Sequence, residues 1–371
     1  MSSSSDSEIP PTFEGRLVGR IPVRNIWLLM LYASDLSHFS GRFAGLLDND
    51  LEDLPNLIGR LLADEVARRL ARNLSLGYRQ RSETIARVRG RIDLLATASG
   101  QLMDRGLIAC RFEEITIDTV RNRLVLSALE RIGRYRVDPS VALVCRSLVT
   151  DLGRAGVSRR MPSRAELAKD QISRNDSRDL FMLALARLAF DLALPTEESG
   201  LVHLRSVEHD EHWVRKLFEK AVGGFYRVEL IPAGWGIHPG QLLQWQIAES
   251  SPGAQEITPS MRTDIVLDTP LGHRIVIDTK FTSMVTRGWY RESSLKTNYL
   301  YQMYAYLRSQ ERQDDPGSPW NTATGIMLHP AIDRSFDEYL VIQNHRIRFA
   351  TVNLSGTTVE IRQALRSLVL A

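Results

Sequence analysis

Cysteine is nearly absent from this chain: Cys110 and Cys145 are the only two among 371 residues. No CxxC spacing joins them, so a Cys-ligated zinc and a disulfide framework are both unsupported, and the two read as core thiols. Long apolar runs are missing as well. The longest, Ile26 to Ala33, falls far short of the roughly 20 residues that span a bilayer, and no basic, apolar, small-residue leader opens the chain. A cytoplasmic protein without membrane contact is expected. There is no GxxxxGK[ST] and no Gly-Lys dipeptide, which removes a P-loop, and no GxSxG or GxGxxG turn, which removes the usual signs of hydrolase and dinucleotide sites. Lysine is scarce too. Lys169, Lys216, Lys220, Lys280 and Lys296 are the only lysines among 47 basic residues, so a lysine at a chemically suggestive position carries more meaning here than in most chains.

What remains is an ordinary globular composition with net charge +3, too mild to argue for or against nucleic acid. The length suggests two domains. Met1 to Arg20 is Ser-rich at its start, carries Pro10-Pro11 and reads as a flexible tail. Residues 21–175 read as a mixed α+β N-terminal domain. Ile26 to Leu31 is an apolar helix or strand, Leu54 to Leu76 follows the helical period, and Arg79 to Leu95 is β-like and the most basic segment. Cys110 to Ile117 suggests a strand, and Asp118 then stands where an N-cap would open a helix through Ile132. A polar stretch from Gly153 to Arg178 separates this half from residues 176–371. That second half reads as helices at Leu180 to Leu194 and Asp210 to Tyr226, then strands near Val228 to Pro232, Leu242 to Ile247, Thr263 to Leu267 and Arg274 to Lys280. A helix near Leu295 to Gln310, β runs at Ala323 to Leu328 and Glu338 to Ile342, and a C-terminal helix complete it. The pattern is an α/β domain with helices flanking one mixed sheet.

Chemistry concentrates on one hairpin. Thr263 to Leu267 and Arg274 to Lys280 flank a Pro270-Leu271-Gly272 turn, the pattern of two antiparallel strands. With the turn centred on Leu271, Asp264, seven residues before, stands across from Asp278, seven after. Opposed residues share a face, and Lys280, two beyond Asp278, joins them. Two carboxylates and one ammonium on a common face suit Mg²⁺, a hard cation that takes carboxylate oxygens and keeps several waters. The matching reaction is phosphodiester hydrolysis, with Lys280 positioning or deprotonating the attacking water. Glu219, on the preceding helix, is placed to add a metal ligand or orient a water. Gln302 and Tyr306, four apart, share one face of the following helix, where they reach a phosphate or the hairpin's polar groups.

Glu on a helix, Asp on a strand, Asp-x-Lys on the next strand and Gln-x-x-x-Tyr on the next helix resemble the PD-(D/E)XK nuclease superfamily in its RecB-like form. Ile21-Pro22-Val23-Arg24-Asn25-Ile26-Trp27 with Tyr32-Ala33, Arg87 to Asp93, Leu217-Phe218-Glu219 and Met261 to Ile265 are similar to McrC-family sequences, the nuclease subunits of 5-methylcytosine-dependent McrBC restriction systems. The resemblance runs from about Ile21 to the C-terminus. Thr263 stands where the superfamily's name has Pro, and Phe281 follows the lysine where Tyr is common. The resemblance implies a C-terminal PD-(D/E)XK domain. Its catalytic residues would be Asp264, Asp278, Lys280, Glu219, Gln302 and Tyr306, with Mg²⁺ held by Asp264, Asp278 and Glu219. It also implies double-stranded DNA as substrate and an McrB-like AAA+ GTPase as partner, engaged and stimulated by the N-terminal half.

Other readings stand beside this one. The Arg79 to Arg91 stretch would dock on a partner, form a solvated face or bind DNA phosphate, in that order. His209 and His212 have a spacing that can clasp a metal, but a charged helix N-terminus explains the neighbouring acids. The chain could instead be a RecB-like repair nuclease acting without a GTPase, or chiefly a regulator of an AAA+ ring. Alone it is expected to be largely monomeric and to cut DNA weakly, with nuclease domains pairing on DNA for a double-strand break.

Overall fold

The apolar run at Ile26 is a helix, α1 (Val23–Ala33), in a computed structural model that describes residues 21–39, 54–134, 137–170, 179–191, 207–281, 285–286, 294–331 and 335–370. The tail expected over residues 1–20 lies outside the described residues, as do the side chains of His209 and His212. The chain divides into two units, residues 53–196 and residues 1–52 together with 197–371. This differs from the expected boundary at 175/176, and two helices account for the difference. The first is α1, which packs with the C-terminal part; the second is the helix after Arg178, which packs with the N-terminal part.

In the unit of residues 53–196, α2 (Leu54–Arg72) leads to β1 (Gly77–Ile85), β2 (Arg91–Ile92), a short α3 (Leu94–Ser99) and β3 (Ile108–Thr116). β3 pairs antiparallel with both β1 and β2. α4 (Val120–Ile132), α5 (Pro139–Arg154), α6 (Arg164–Lys169) and α7 (Asp179–Asp191) complete it. The N-cap of α4 is Thr119, whose Oγ1 accepts from the Asn122 amide at 3.2 Å. Asp118 is not the cap expected from the sequence, because its carboxylate accepts instead from the amide and hydroxyl of Ser158, both at 2.9 Å. α7 packs on α2 and α4, which is why a polar stretch before it does not mark a unit boundary. Its first residue, Asp179, is fully buried, 2.5 Å from Arg69 Nη2 and hydrogen-bonded by the Ser75 hydroxyl.

The other unit is built on a 24-residue helix, α8 (Val207–Leu230). The adjacent glycines of α8 face different neighbours. A Cβ on Gly224 would lie 1.9 Å from the Tyr32 carbonyl oxygen of α1, whereas one on Gly223 would meet Ile265 at 3.8 Å. α1 is further fixed by Asn25, whose amide donates to the carbonyls of Leu354 and Gly356 at 2.7 and 2.8 Å. The strand expected at Val228 to Pro232 is instead the end of α8 and a 3₁₀ turn, Ile231–Ala233. Tertiary anchors override the β-like composition there: Tyr226 donates to Leu365 O at 3.0 Å, and Glu229 pairs with Arg362 and Arg366. The strand expected over Leu242 to Ile247 is split. β4 (Gly236–Pro239) precedes it, and only β5 (Leu242–Leu243) of that run is a strand.

After α9 (Ala254–Ile257), β6 (Met261–Arg262) pairs with β5, and β7 (Ile265–Asp268) forms a hairpin with β8 (Arg274–Thr279). Short β9 (Val285–Thr286) and β10 (Ser294–Leu295) pair before α10 (Thr297–Arg308). β11 (Thr324–Pro330), β12 (Asp337–Ile342), β13 (His345–Val352) and α11 (Thr358–Leu370) finish the chain. A six-stranded sheet runs β12-β13-β11-β8-β7-β4, parallel at β13/β11/β8 and antiparallel elsewhere. The expected mixed sheet flanked by helices is therefore present. β8 and β11 are its centre and are buried along nearly their whole length, as their continuous apolar runs require. A core of Val266, Val276, Met327, Ile347 and Phe349 packs there with Tyr299, Met303, Tyr306 and Leu307 of α10.

Candidate active site

The β7–β8 register is the expected one. Ile265 pairs with Ile277 and the ladder runs without slip to Asp268 opposite Arg274. The turn is held by Thr269 and His273, whose backbones bond at 2.8 Å, with Gly272 at φ +81°. Arg274 fixes the hairpin's base by a bidentate pair with Asp268 at 2.6 and 2.7 Å. Carried one residue beyond Ile265 and Ile277, this register brings Asp264 opposite Asp278. Each lies where its strand leaves the hairpin ladder, on backbone that is still anchored. Asp264 O accepts from the Gly240 amide at 2.8 Å, and the Lys280 amide donates to Leu328 O of β11 at 2.9 Å.

The two carboxylates are held differently. Asp264 Oδ2 accepts two hydrogen bonds from Thr279, one from the amide and one from the hydroxyl, both 2.7 Å. Asp278 is 1% exposed, and its Oδ2 lies 2.5 Å from Lys280 Nζ yet accepts no hydrogen bond of good geometry. Proximity is clear but direction is poor. Burial first, then the charge of Asp264, pushes the Asp278 carboxyl up from its ordinary 3.8 to about 6, although the neighbouring Lys280 pulls the other way. A buried carboxylate oxygen short of donors and facing a second carboxylate is a site that a cation would relieve.

Glu219 lies half-buried on α8, and its carboxyl is also raised, by burial first and then by Asp264. It therefore shares the field of the pair. Among the described residues, however, no three His, Cys, Asp or Glu side chains are arranged to hold one metal ion, so Asp264, Asp278 and Glu219 are not a preformed three-ligand cage. The pair fits Mg²⁺ better than a closed cage would, because that ion keeps much of its water and takes one or two carboxylates. α8 itself is tied to the end of β8 by Phe218, whose ring meets that of Phe281 edge-on at 5.8 Å.

Gln302 and Tyr306 share one face of α10 as expected. Gln302 Nε2 donates to the Tyr306 hydroxyl at 2.7 Å, and that hydroxyl donates to Arg262 O at 2.8 Å. Their target is therefore the backbone two residues before Asp264. Burial, with Asp278 and Asp264 nearby, pushes the Tyr306 phenol up to about 12, which keeps it a donor. Three residues escaped the sequence reading. Thr279 is the variable position of Asp-x-Lys and gave no signal. Tyr299 of α10 has Lys280 Nζ 5.9 Å and Lys296 Nζ 5.5 Å from its ring centroid, and lysine scarcity alone pointed to Lys296.

In the other unit, the basic segment is exposed from Arg79 to Arg91 except at Ile85; its first part lies on β1, which is open on both faces. Arg81 pairs with Glu114 at 3.0 Å, and Arg89 stacks over Phe112 at 4.2 Å. No helix among the described residues is long and apolar enough to cross a membrane.

The chain is 23% identical over 351 residues to the type IV methyl-directed restriction enzyme EcoKMcrBC of Escherichia coli (strain K12), covering 93% of this chain and 96% of that one. It is also similar to a half-complex from a tetradecameric assembly of Thermococcus gammatolerans McrB AAA+ hexamers with bound McrC. That match has 16% identity and a TM-score of 0.41 over 93% of this chain and 76% of that one. The Thermococcus gammatolerans McrBC complex gives 13% identity and a TM-score of 0.33 over 56% and 68% of the two chains. A family profile described as the McrBC 5-methylcytosine restriction system component matches residues 4–316, and the chain belongs to that family.

Proposed function

We propose that this chain is the McrC-type nuclease subunit of an McrBC restriction system, cleaving double-stranded DNA by Mg²⁺-dependent phosphodiester hydrolysis when an AAA+ GTPase partner delivers it. The observation that carries this reading is the opposition of Asp264 to buried, donor-poor Asp278 with Lys280 Nζ 2.5 Å away. Asp278 Oδ2 and Asp264 would hold Mg²⁺, which supplies positive charge at the scissile phosphate. Lys280, only part-buried, can turn its ammonium from Asp278 to the phosphate or to the attacking water and offset the negative charge that develops there. Glu219, with a raised carboxyl facing Asp264, can accept a proton from water on that side. Tyr306, steadied by Gln302, holds the Arg262 carbonyl and so fixes the backbone that presents Asp264.

The exposed strand β1, paired with β3, is the proposed contact with the GTPase, whose GTP hydrolysis it would stimulate. An Arg-rich strand bare on both faces is poorly explained as part of a core. Family membership favours restriction of methylated DNA over RecB-like repair. The test is co-purification with an McrB-type AAA+ GTPase, followed by cleavage of 5-methylcytosine and unmodified DNA with GTP and Mg²⁺. Asp278→Ala and Lys280→Ala should each abolish cleavage while leaving ring binding intact. Full cleavage by either variant would refute the assignment.

A further inference from the structure

Thr279 stands between the two residues of Asp-x-Lys and is 4% exposed, with no place in the reaction described above. It is the last residue of β8, and it reaches Asp264, the residue just before β7. Both donors of Thr279, the amide and the hydroxyl, converge at 2.7 Å on the same oxygen, Asp264 Oδ2. Two donors from one residue fix the carboxylate in plane as well as in distance, and bonds to an ionised acceptor are the strong ones. Among the described residues nothing donates to Oδ1, which leaves one oxygen of Asp264 free of hydrogen bonds. The amide would be there with any residue at 279. The hydroxyl is the part that this side chain adds.

We infer that Thr279 is a positioning residue of the metal site: by saturating Asp264 Oδ2 it makes Asp264 a one-oxygen ligand, with Oδ1 turned to the cation. This rests on the proposed function and adds to it a side-chain hydroxyl that acts on the site through Asp264. Groups that orient a ligand from behind commonly change metal affinity about 10–100-fold when removed. Thr279→Val keeps shape and β-propensity while deleting the hydroxyl, so the strand should fold. Thr279→Ser restores the hydroxyl on a smaller side chain.

Mn²⁺, which shares the oxygen-ligand chemistry of Mg²⁺, can be titrated into the purified full-length chain and its binding counted by electron paramagnetic resonance. The same variants with the GTPase partner give the Mg²⁺ concentration for half-maximal cleavage. Thr279→Val should weaken Mn²⁺ binding and raise the half-maximal Mg²⁺ by about tenfold or more, with little loss of rate at saturating Mg²⁺. Thr279→Ser should stay within about threefold of wild type, well below that range. If wild type binds Mn²⁺ and Asp278→Ala abolishes binding, but Thr279→Val binds as wild type, this inference is overturned alone. If Thr279→Ser fails as badly as Val, the hydroxyl is not the cause, and the inference also falls. If wild type binds no Mn²⁺ at all, the proposed function falls and takes this inference with it.

Discussion

Asp278→Asn should stabilise the metal-free protein while destroying its function. The Asp278 carboxyl titrates near 6 in the folded chain against an ordinary 3.8, chiefly because burial disfavours its charge. The folded state thus holds this proton more tightly than the unfolded state does. The associated stability is complete below about pH 4 and is lost as pH rises through about 6. At about 1.4 kcal/mol per pH unit, the interval amounts to about 3 kcal/mol of strain at pH 7.5. Asn, of the same size and neutral, removes that cost. The opposing attraction of Lys280 is already contained in that interval. A gain of about 3 kcal/mol corresponds to a rise of roughly 6–12 °C in the melting temperature of a domain of this size. The assay is thermal unfolding of both proteins from pH 4.5 to 8 in chelator. The variant's advantage should be largest at pH 7.5 to 8 and fall to about a third of that near pH 4.5, and Mg²⁺ should raise the wild-type melting temperature only. A variant less stable than wild type at pH 7.5, or an advantage that does not shrink on acidification, would refute the reasoning.

Other expectations follow from single contacts. Tyr306→Phe removes the donor to Arg262 O and should cost about 1–2 kcal/mol of stability by thermal unfolding, with reduced cleavage at unchanged GTPase stimulation. Gly224→Ala puts a Cβ 1.9 Å from the Tyr32 carbonyl, so α1 must separate from α8; denaturant unfolding should show a loss of about 3 kcal/mol or more, beyond ordinary overpacking. Reversing charge on β1 with Arg79→Glu and Arg81→Glu should lower stimulation of the partner's GTPase in a steady-state assay while leaving Mn²⁺ binding unchanged. Undiminished stimulation would remove β1 from the contact.

The site was more legible than the fold around it. Antiparallel register follows from a turn centre and two apolar runs, so Asp264, Asp278 and Lys280 could be placed from sequence because the ladder from Ile265 to Asp268 carries no bulge. What Asp264 bonds to was not legible, because Thr279 announces itself only through a distance. Local composition also misled at Val228 to Pro232, where Tyr226 and Glu229 tie the segment to α11 and keep it helical. The difference at the unit boundary has a related cause. A polar stretch marks a linker only if the next element packs elsewhere, and Asp179 is drawn back to Arg69 and Ser75 by a buried ion pair that no local pattern shows. α1 was invisible as part of the sheet's unit because its anchors, Leu354 and Gly356, lie more than three hundred residues away.

The central claim is that Asp278 and Lys280 carry the cleavage chemistry of an McrBC component. Its most direct test is one reconstituted reaction: the purified chain or its Asp278→Ala variant, an McrB-type AAA+ GTPase, GTP, Mg²⁺ and 5-methylcytosine DNA, with strand breaks and GTP turnover measured together. The expected result is full GTP turnover in both, with strand breaks only with the wild-type chain. Strand breaks at the wild-type rate with Asp278→Ala would contradict the account.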